Sequence, residues 1–190
     1  MPSAAELLRD LESYAPSGGE EASSPDRFRS LLERSGNPFT RTRTEHVTGS
    51  AVVAKPNGNA YLLIHHRRLN RWLQPGGHVE EEDETVLAAA LREAREETGV
   101  EDFNVPFGRR ILDLDIHPIP AFDNRPVHIH FDVRYLFTTR QEVLTPSLDE
   151  VLGAAWFPFA KALAADVDGS LARALTKARA WLTSPRSRFA

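Results

Sequence analysis

Residues 77–100 read Gly-His-Val-Glu-Glu-Glu-Asp-Glu-Thr-Val-Leu-Ala-Ala-Ala-Leu-Arg-Glu-Ala-Arg-Glu-Glu-Thr-Gly-Val. The part from 87 to 97 is rich in Ala, Leu, Arg and Glu, all strong helix formers. On a helix Glu93, Glu96 and Glu97 stand at i, i+3 and i+4, so the three carboxylates share one face. Such a cluster repels itself unless a cation neutralises it. Oxygen ligands suit a hard ion such as Mg²⁺, with Mn²⁺ as a substitute. A hard divalent ion in turn suits phosphate. An acidic, solvated surface helix carries the same charge run, so the flanking residues must decide between the two readings.

The bulk properties narrow the classes. A chain of 190 residues predicts one main domain with room for a small appendage. With 41% apolar residues it can bury a core, and a net charge of −4 points away from nucleic acid and from a membrane surface. There is no cysteine, which excludes disulfides and thiolate metal sites. No apolar run approaches the roughly 20 residues that span a bilayer. Residues 1–14 carry acids and lack a long apolar stretch, so no secretory signal is expected and a cytoplasmic protein is.

Two regions differ in pattern. Residues 1–45 predict a helical extension. Leu7, Leu8 and Leu11 recur at helical spacing after Ser3, a candidate N-cap, and Phe28, Leu31 and Leu32 follow Ser24-Pro25-Asp26. These stripes are too small to form a core alone. They are expected to cover the main domain, and packing that helps build a homodimer is favoured over a mobile arm. Residues 46–190 form the main domain. Strands are predicted at 50–55 and 60–66 around an Asn57-Gly58 hairpin, at 109–117, at 127–138 and at 154–157. A weakly amphipathic run begins at Leu163, and a last helix is predicted at 172–182. Strands and helices in this mixture predict an α+β sandwich.

The segment from Gly77 to Val100, preceded by Trp72-Leu73-Gln74-Pro75-Gly76, resembles the Nudix box. Glu84, Arg92, Glu93, Ala94, Glu96, Glu97, Gly99 and Val100 match that pattern in register. The departure is one extra residue between Gly77 and Glu84, read as an insertion in the loop before the helix, which costs little. The resemblance spans about 46–183. It implies a Nudix-type α/β/α sandwich with a mixed sheet and the box as loop–helix–loop. It makes Glu93, Glu96 and Glu97 ligands of Mg²⁺, with the Gly77 carbonyl beside them. Arg92 becomes an orienting partner for Glu84 or for a metal-binding carboxylate. The water-activating base is Glu96, or Glu150 from the acidic loop before Trp156-Phe157-Pro158.

Histidines are concentrated around these elements. His78 follows the glycine pair, His117 ends a predicted strand, and His128 and His130 share a face of the next. They are expected to wall the substrate, since histidine donates to phosphate; it also binds transition metals, which keeps a separate zinc site open. Arg67 can reach a phosphate or stay solvated. Trp72 and Phe122 can stack on a base, and Trp72 equally can anchor the core. The resemblance implies Mg²⁺-dependent hydrolysis of a diphosphate linkage in a nucleoside diphosphate derivative or nucleoside triphosphate. The alternative is a nucleotide-sensing module of the same fold that does not cleave. Such modules tend to lose box carboxylates, and here all three are present.

Overall fold

The computed structural model describes residues 1–121, 125–149, 151–165 and 167–184. Phe122 and Glu150, both singled out by sequence, lie outside the described residues. Helices α1 (Ala4–Glu12) and α2 (Ser24–Leu32) flank a short 3₁₀ turn (Gly19–Ser23). They are followed by strands β1 (Glu45–Ala54), β2 (Ala60–His66), β3 (Arg71–Leu73) and β4 (Gly76–His78), and by helix α3 (Val86–Thr98). The chain continues through β5 (Asp113–Ile119), β6 (His128–Thr138), β7 (Val151–Pro158), α4 (Phe159–Leu163) and α5 (Gly169–Leu182). Among the described residues, no helix is long and apolar enough to cross a membrane.

All seven strands join one mixed sheet, ordered β3-β2-β1-β6-β5, with β4 added to β1 and β7 to β2. The central pair β1 and β6 runs parallel over its full length, from Glu45 opposite Ile129 to Ala54 opposite Thr138. On its other side β1 is divided. Val53 and Ala54 pair with β2, whereas Thr48, Gly49 and Ser50 pair with His78, Gly77 and Gly76 of β4. That division brings the glycine pair against the middle of the sheet.

Strand alternation sorts the side chains between two layers. Val47, Ala51, Val53, Phe131, Val133, Tyr135 and Phe137 face α1, α2 and α3, which bury Leu7, Leu11, Phe28, Leu31, Val86, Ala90 and Ala94 against them. Val52, Ala54, Tyr61, Leu63 and Leu136 face α5, which contributes Leu171, Ala174, Leu175 and Ala178. Helices on both faces of a mixed sheet make the α/β/α sandwich that the sequence predicts. Leu11 and Phe28 are fully buried, and the Phe28 ring meets Phe131 edge-on at 5.1 Å. The apolar stripes of the first 45 residues are therefore covered by their own chain, with no second subunit required. Buried Glu21, between α1 and α2, pairs with Lys177 of α5 at 2.5 Å.

Several boundaries differ from the sequence reading, among them the start of β7, at Val151 rather than 154. The first strand starts at Glu45 rather than 50, because His46 and Thr48 are buried although their polarity suggests a loop. The strand expected from 109 begins at Asp113 and includes Pro118, which an edge strand tolerates. Leu163 ends a short helix instead of starting a run, and α5 begins at Gly169, where the Asp168 carboxylate accepts from Leu171 N at 2.8 Å. The Asn57-Gly58 turn forms as expected, with Lys55 N donating to Ala60 O at 2.9 Å.

The packing of the first helices gives a test. Phe28→Ala is expected to cost about 3–5 kcal/mol in urea unfolding, the usual range for emptying such a site. Deleting residues 1–40 is expected to give an aggregating chain. A truncated chain that stays soluble with an unchanged unfolding midpoint would show these contacts to be dispensable.

Candidate active site

Helix α3 carries the three carboxylates, and its ends are well defined. Thr85 caps it, its hydroxyl oxygen accepting from Ala88 N at 3.0 Å. Gly99 ends it in the left-handed region at φ +68°, where a side chain is strained. A Cβ at Gly99 would also stand 2.1 Å from Thr145 Oγ1. The close approach is used: Thr145 N donates to Thr98 O at 3.0 Å and Ser147 N to Glu96 O at 3.1 Å, which satisfies carbonyls at the helix end.

Glu93 and Glu97 are buried beneath β4, and Glu96 stays exposed at the edge. Glu97 accepts from Gly76 N at 2.9 Å. A Cβ on Gly77 would stand 2.5 Å from Glu93 Oε1, so only glycine lets the strand backbone lie on that carboxylate. The structure thus joins Glu93, Glu96, Glu97 and Gly77, four residues the sequence groups together.

Arg92 holds this group from behind: it meets the carboxylates Glu93 and Glu96, one of the two kinds of partner expected for it, and the loop acid it meets is Asp83 rather than Glu84. Its Nε and Nη2 donate to Asp83 at 3.2 and 2.9 Å, its Nη2 also to His78 O at 2.9 Å, and its Nη1 to Glu93 at 3.0 Å and Glu96 at 3.2 Å. Asp83 is 6% exposed, whereas Glu84 points to solvent. The acid matched to the box by sequence is therefore the wrong one of two neighbours. Asp83 follows Gly77 with five intervening residues, and the extra residue falls after it, at the helix start. Allowing aspartate at that position was the available signal. Asp83 also accepts from Glu80 N at 2.8 Å, closing the loop on itself. Burial pushes the Arg92 pKa down, but the bonds to Asp83 and the charge of Glu93 outweigh it and raise it above the ordinary value.

The described bonds of Arg67 go to a loop. Its guanidinium donates to Leu148 O at 2.7 Å and to Val151 O at 3.4 Å, on either side of Glu150. It pins the loop that sequence connects with catalysis. Trp72 stacks on His65 at 5.0 Å and meets Phe157 edge-on at 4.8 Å, the anchoring role rather than an open platform.

The histidines gather on the sheet face opposite α3. His46 on β1 pairs in register with His130 on β6, which pairs with His117 on β5. His128 lies two residues along the same face, and His78 reaches in from β4, its ring 5.2 Å from His46 and 5.2 Å from His130. Burial, reinforced by the neighbouring imidazoles, lowers His46 and pushes His78 down to about 4 and His130 to about 2. His117 goes the other way. Burial pulls it down, but a 2.8 Å bond to Asp115 and the charges of Asp132 and Asp115 raise it above the ordinary value.

Behind the histidines lies a buried ionic network that the sequence reading missed. Arg134, 2% exposed, pairs with Asp132 at 3.0 Å, Asp115 at 3.2 Å and Asp113 at 3.3 Å. Asp132 also accepts from Ser50 at 2.8 Å and Thr48 at 3.1 Å. The only sequence signal was the alternation itself, which placed Asp132 and Arg134 on the polar side of β6 without saying that this side is covered.

Two outcomes follow. Asp83→Asn is expected to cost about 3 kcal/mol, the low end for breaking a buried pair, because Arg92 keeps some contact with water. Glu84→Gln is expected to stay within about 0.5 kcal/mol. Equal effects in urea unfolding would contradict the assignment of Asp83. The histidines set a pH dependence. Groups with lowered folded pKa values take up protons more readily when unfolded, so their contribution to stability is lost as pH falls below about 6.5. His46, His78 and His130 act in that sense, and His117 opposes them. In chelator, stability is expected to fall from pH 7 toward pH 4.5. A flat or rising profile would show that these rings do not titrate as their burial requires.

Comparisons with known proteins place this geometry. The NUDIX domain family model matches residues 44–178. No curated protein matches the chain. Among solved structures, the NUDIX domain of Shewanella oneidensis NrtR in complex with ADP ribose is 22% identical, with 72% of this chain and 88% of that one covered and a TM-score of 0.55. The E. coli dihydroneopterin triphosphate pyrophosphohydrolase is 19% identical, with 71% and 94% covered and a TM-score of 0.53. A C. elegans Ap4A hydrolase in a binary complex is 17% identical, with 72% and 96% covered and a TM-score of 0.50. At such identities the structures speak for the fold. The family match runs from just before β1 into α5, well over half of the chain, and by it the protein belongs to the Nudix family.

Proposed function

We propose that the chain hydrolyses a diphosphate linkage in a nucleoside diphosphate derivative or nucleoside triphosphate, in the cytoplasm and with Mg²⁺. The observation that carries this reading is the placement of Glu93 and Glu97 beneath the bare backbone of Gly76 and Gly77, with Glu96 at the solvent edge. The donor set fits a hard divalent ion: three carboxylates and one backbone carbonyl, in a cradle that a Cβ would fill. Glu93, Glu96, Glu97 and the Gly77 carbonyl would hold it. Such an ion neutralises phosphate oxygens and lowers the pKa of water when bound.

The chain's own groups supply the rest. Arg92 fixes the rotamers of Glu93 and Glu96, and Asp83 fixes Arg92. We assign Glu96 as the base, the one of the three clustered carboxylates open to solvent; Glu150 is the other candidate. Water oxygen bonds to one phosphorus as the bridging P–O bond breaks. The water proton passes to the base, and the other phosphate departs as an anion. Of the histidines expected to meet substrate, His117 suits a phosphate best, because Asp115 favours its charged form. ADP-ribose, Ap4A and dihydroneopterin triphosphate are named with the neighbours and define the first compounds to try.

A panel of these compounds and the common nucleoside triphosphates, incubated with Mg²⁺ and read as phosphate released after phosphatase treatment, tests the reading. At least one is expected to turn over, and Glu97→Gln is expected to fold yet lose on the order of a hundredfold or more. Tight nucleotide binding without turnover of any compound would favour the sensing module instead. Wild-type rates in Glu97→Gln at limiting Mg²⁺ would remove the carboxylate assignment.

A further inference from the structure

We propose that His46, His78, His128 and His130 form a binding site for a transition-metal ion of the zinc class, separate from the carboxylate site on α3. One ring nitrogen from each of the four lies within 4.8 Å of the others. They come from three strands. His46 and His130 are register partners on β1 and β6, His128 precedes His130 by two residues on the same face, and His78 arrives on β4.

The ring nitrogens facing inward are the observation that asks for a ligand. Nε2 of His46, His78 and His130 are all buried, and no described protein group hydrogen-bonds any of them. A buried polar atom left unmet is costly, and the three within one small space share the same remedy. Two of the four rings are also oriented for metal. His46 Nδ1 lies 3.0 Å from Arg43 O and His128 Nδ1 lies 3.0 Å from Pro126 O. A carbonyl only accepts, so each Nδ1 carries the hydrogen and each Nε2 keeps its lone pair. This is how backbone carbonyls hold metal-binding histidines.

The chemistry of the set selects the ion. Four imidazoles suit Zn²⁺ and its neighbours, whereas Mg²⁺ demands oxygen. Zinc–nitrogen bonds of about 2.0–2.1 Å in a tetrahedron set the nitrogens roughly 3.4 Å apart. The rings would close in by about an ångström, a movement within reach of side-chain rotation. Because His78 directly follows Gly77, an ion here would tie the loop that covers Glu93 and Glu97 to β1 and β6. The inference does not depend on the hydrolytic reading, since a non-catalytic module would hold the same histidines.

The test uses the full chain, stripped with chelator and titrated with Zn²⁺ by calorimetry in excess Mg²⁺, and with Co²⁺ by visible absorption. One Zn²⁺ per chain, tetrahedral Co²⁺ bands and a raised melting temperature are expected. His130→Gln is expected to weaken Zn²⁺ binding by about a hundredfold or more, and His128→Gln, at the outer side, by about tenfold or more. Glu97→Gln should bind Zn²⁺ as the wild type does. Should His130→Gln fail to fold, His128→Gln and the Co²⁺ spectrum decide. No Zn²⁺ bound in excess Mg²⁺, octahedral Co²⁺ only, unchanged affinity in the histidine variants, or loss of binding in Glu97→Gln would each overturn the proposal.

Discussion

The site depends on the contact between the backbone of two glycines and two buried glutamates. Carboxylates are seldom buried unless something compensates them. Glu97 is met by the Gly76 amide, and Glu93 by Arg92. The contact is possible only because β4 takes the half of β1 that β2 leaves free, and because Gly77 has no side chain to intervene. The same strand then delivers His78 to the opposite side of the sheet. One three-residue strand therefore links the acidic site and the histidine face.

The sheet separates these two chemistries. Parallel pairing of β1 with β6 aligns His46 with His130, Thr48 with Asp132 and Ser50 with Arg134, so polar residues on one face form a continuous band. The other face of the same strands is apolar and receives α3. Burying Arg134 among three aspartates is expensive in itself, and such groups stabilise only when every bond is made. Their position behind the histidines explains why His117 has a carboxylate to hold it while its neighbours have none. On this face a carboxylate favours the charged form of His117, whereas burial disfavours charge on His46, His78 and His130.

The box helix was legible in the sequence because helix propensity, a glycine stop and carboxylate spacing all agree between Val86 and Gly99. The alternation of β6 was equally plain, and the α/β/α sandwich followed from the resemblance. What the sequence hid was tertiary. Asp83 and Glu84 are adjacent acids, and only the fold reveals which one turns inward to Arg92. His46 sits in a segment whose polarity argues against a buried strand, so sequence alone does not group it with His78, His128 and His130. From its sequence neighbours Arg67 can reach a phosphate or stay solvated, and the fold adds a third partner, the loop before β7. For His46 and Arg67 the deciding partners lie far away along the chain, whereas Arg92 follows Asp83 closely and only the turn of the loop decides.

Glu93, Glu96, Glu97 and the Gly77 carbonyl are proposed to constitute a hard-cation site. Mn²⁺ reports on it directly through its paramagnetism. Electron paramagnetic resonance on a Mn²⁺ titration should show free-ion signal suppressed by the wild-type chain and by His130→Gln, and restored by Glu93→Gln and Glu97→Gln. Mn²⁺ binding that survives both glutamate substitutions, or that is never seen in the wild type, would contradict the account.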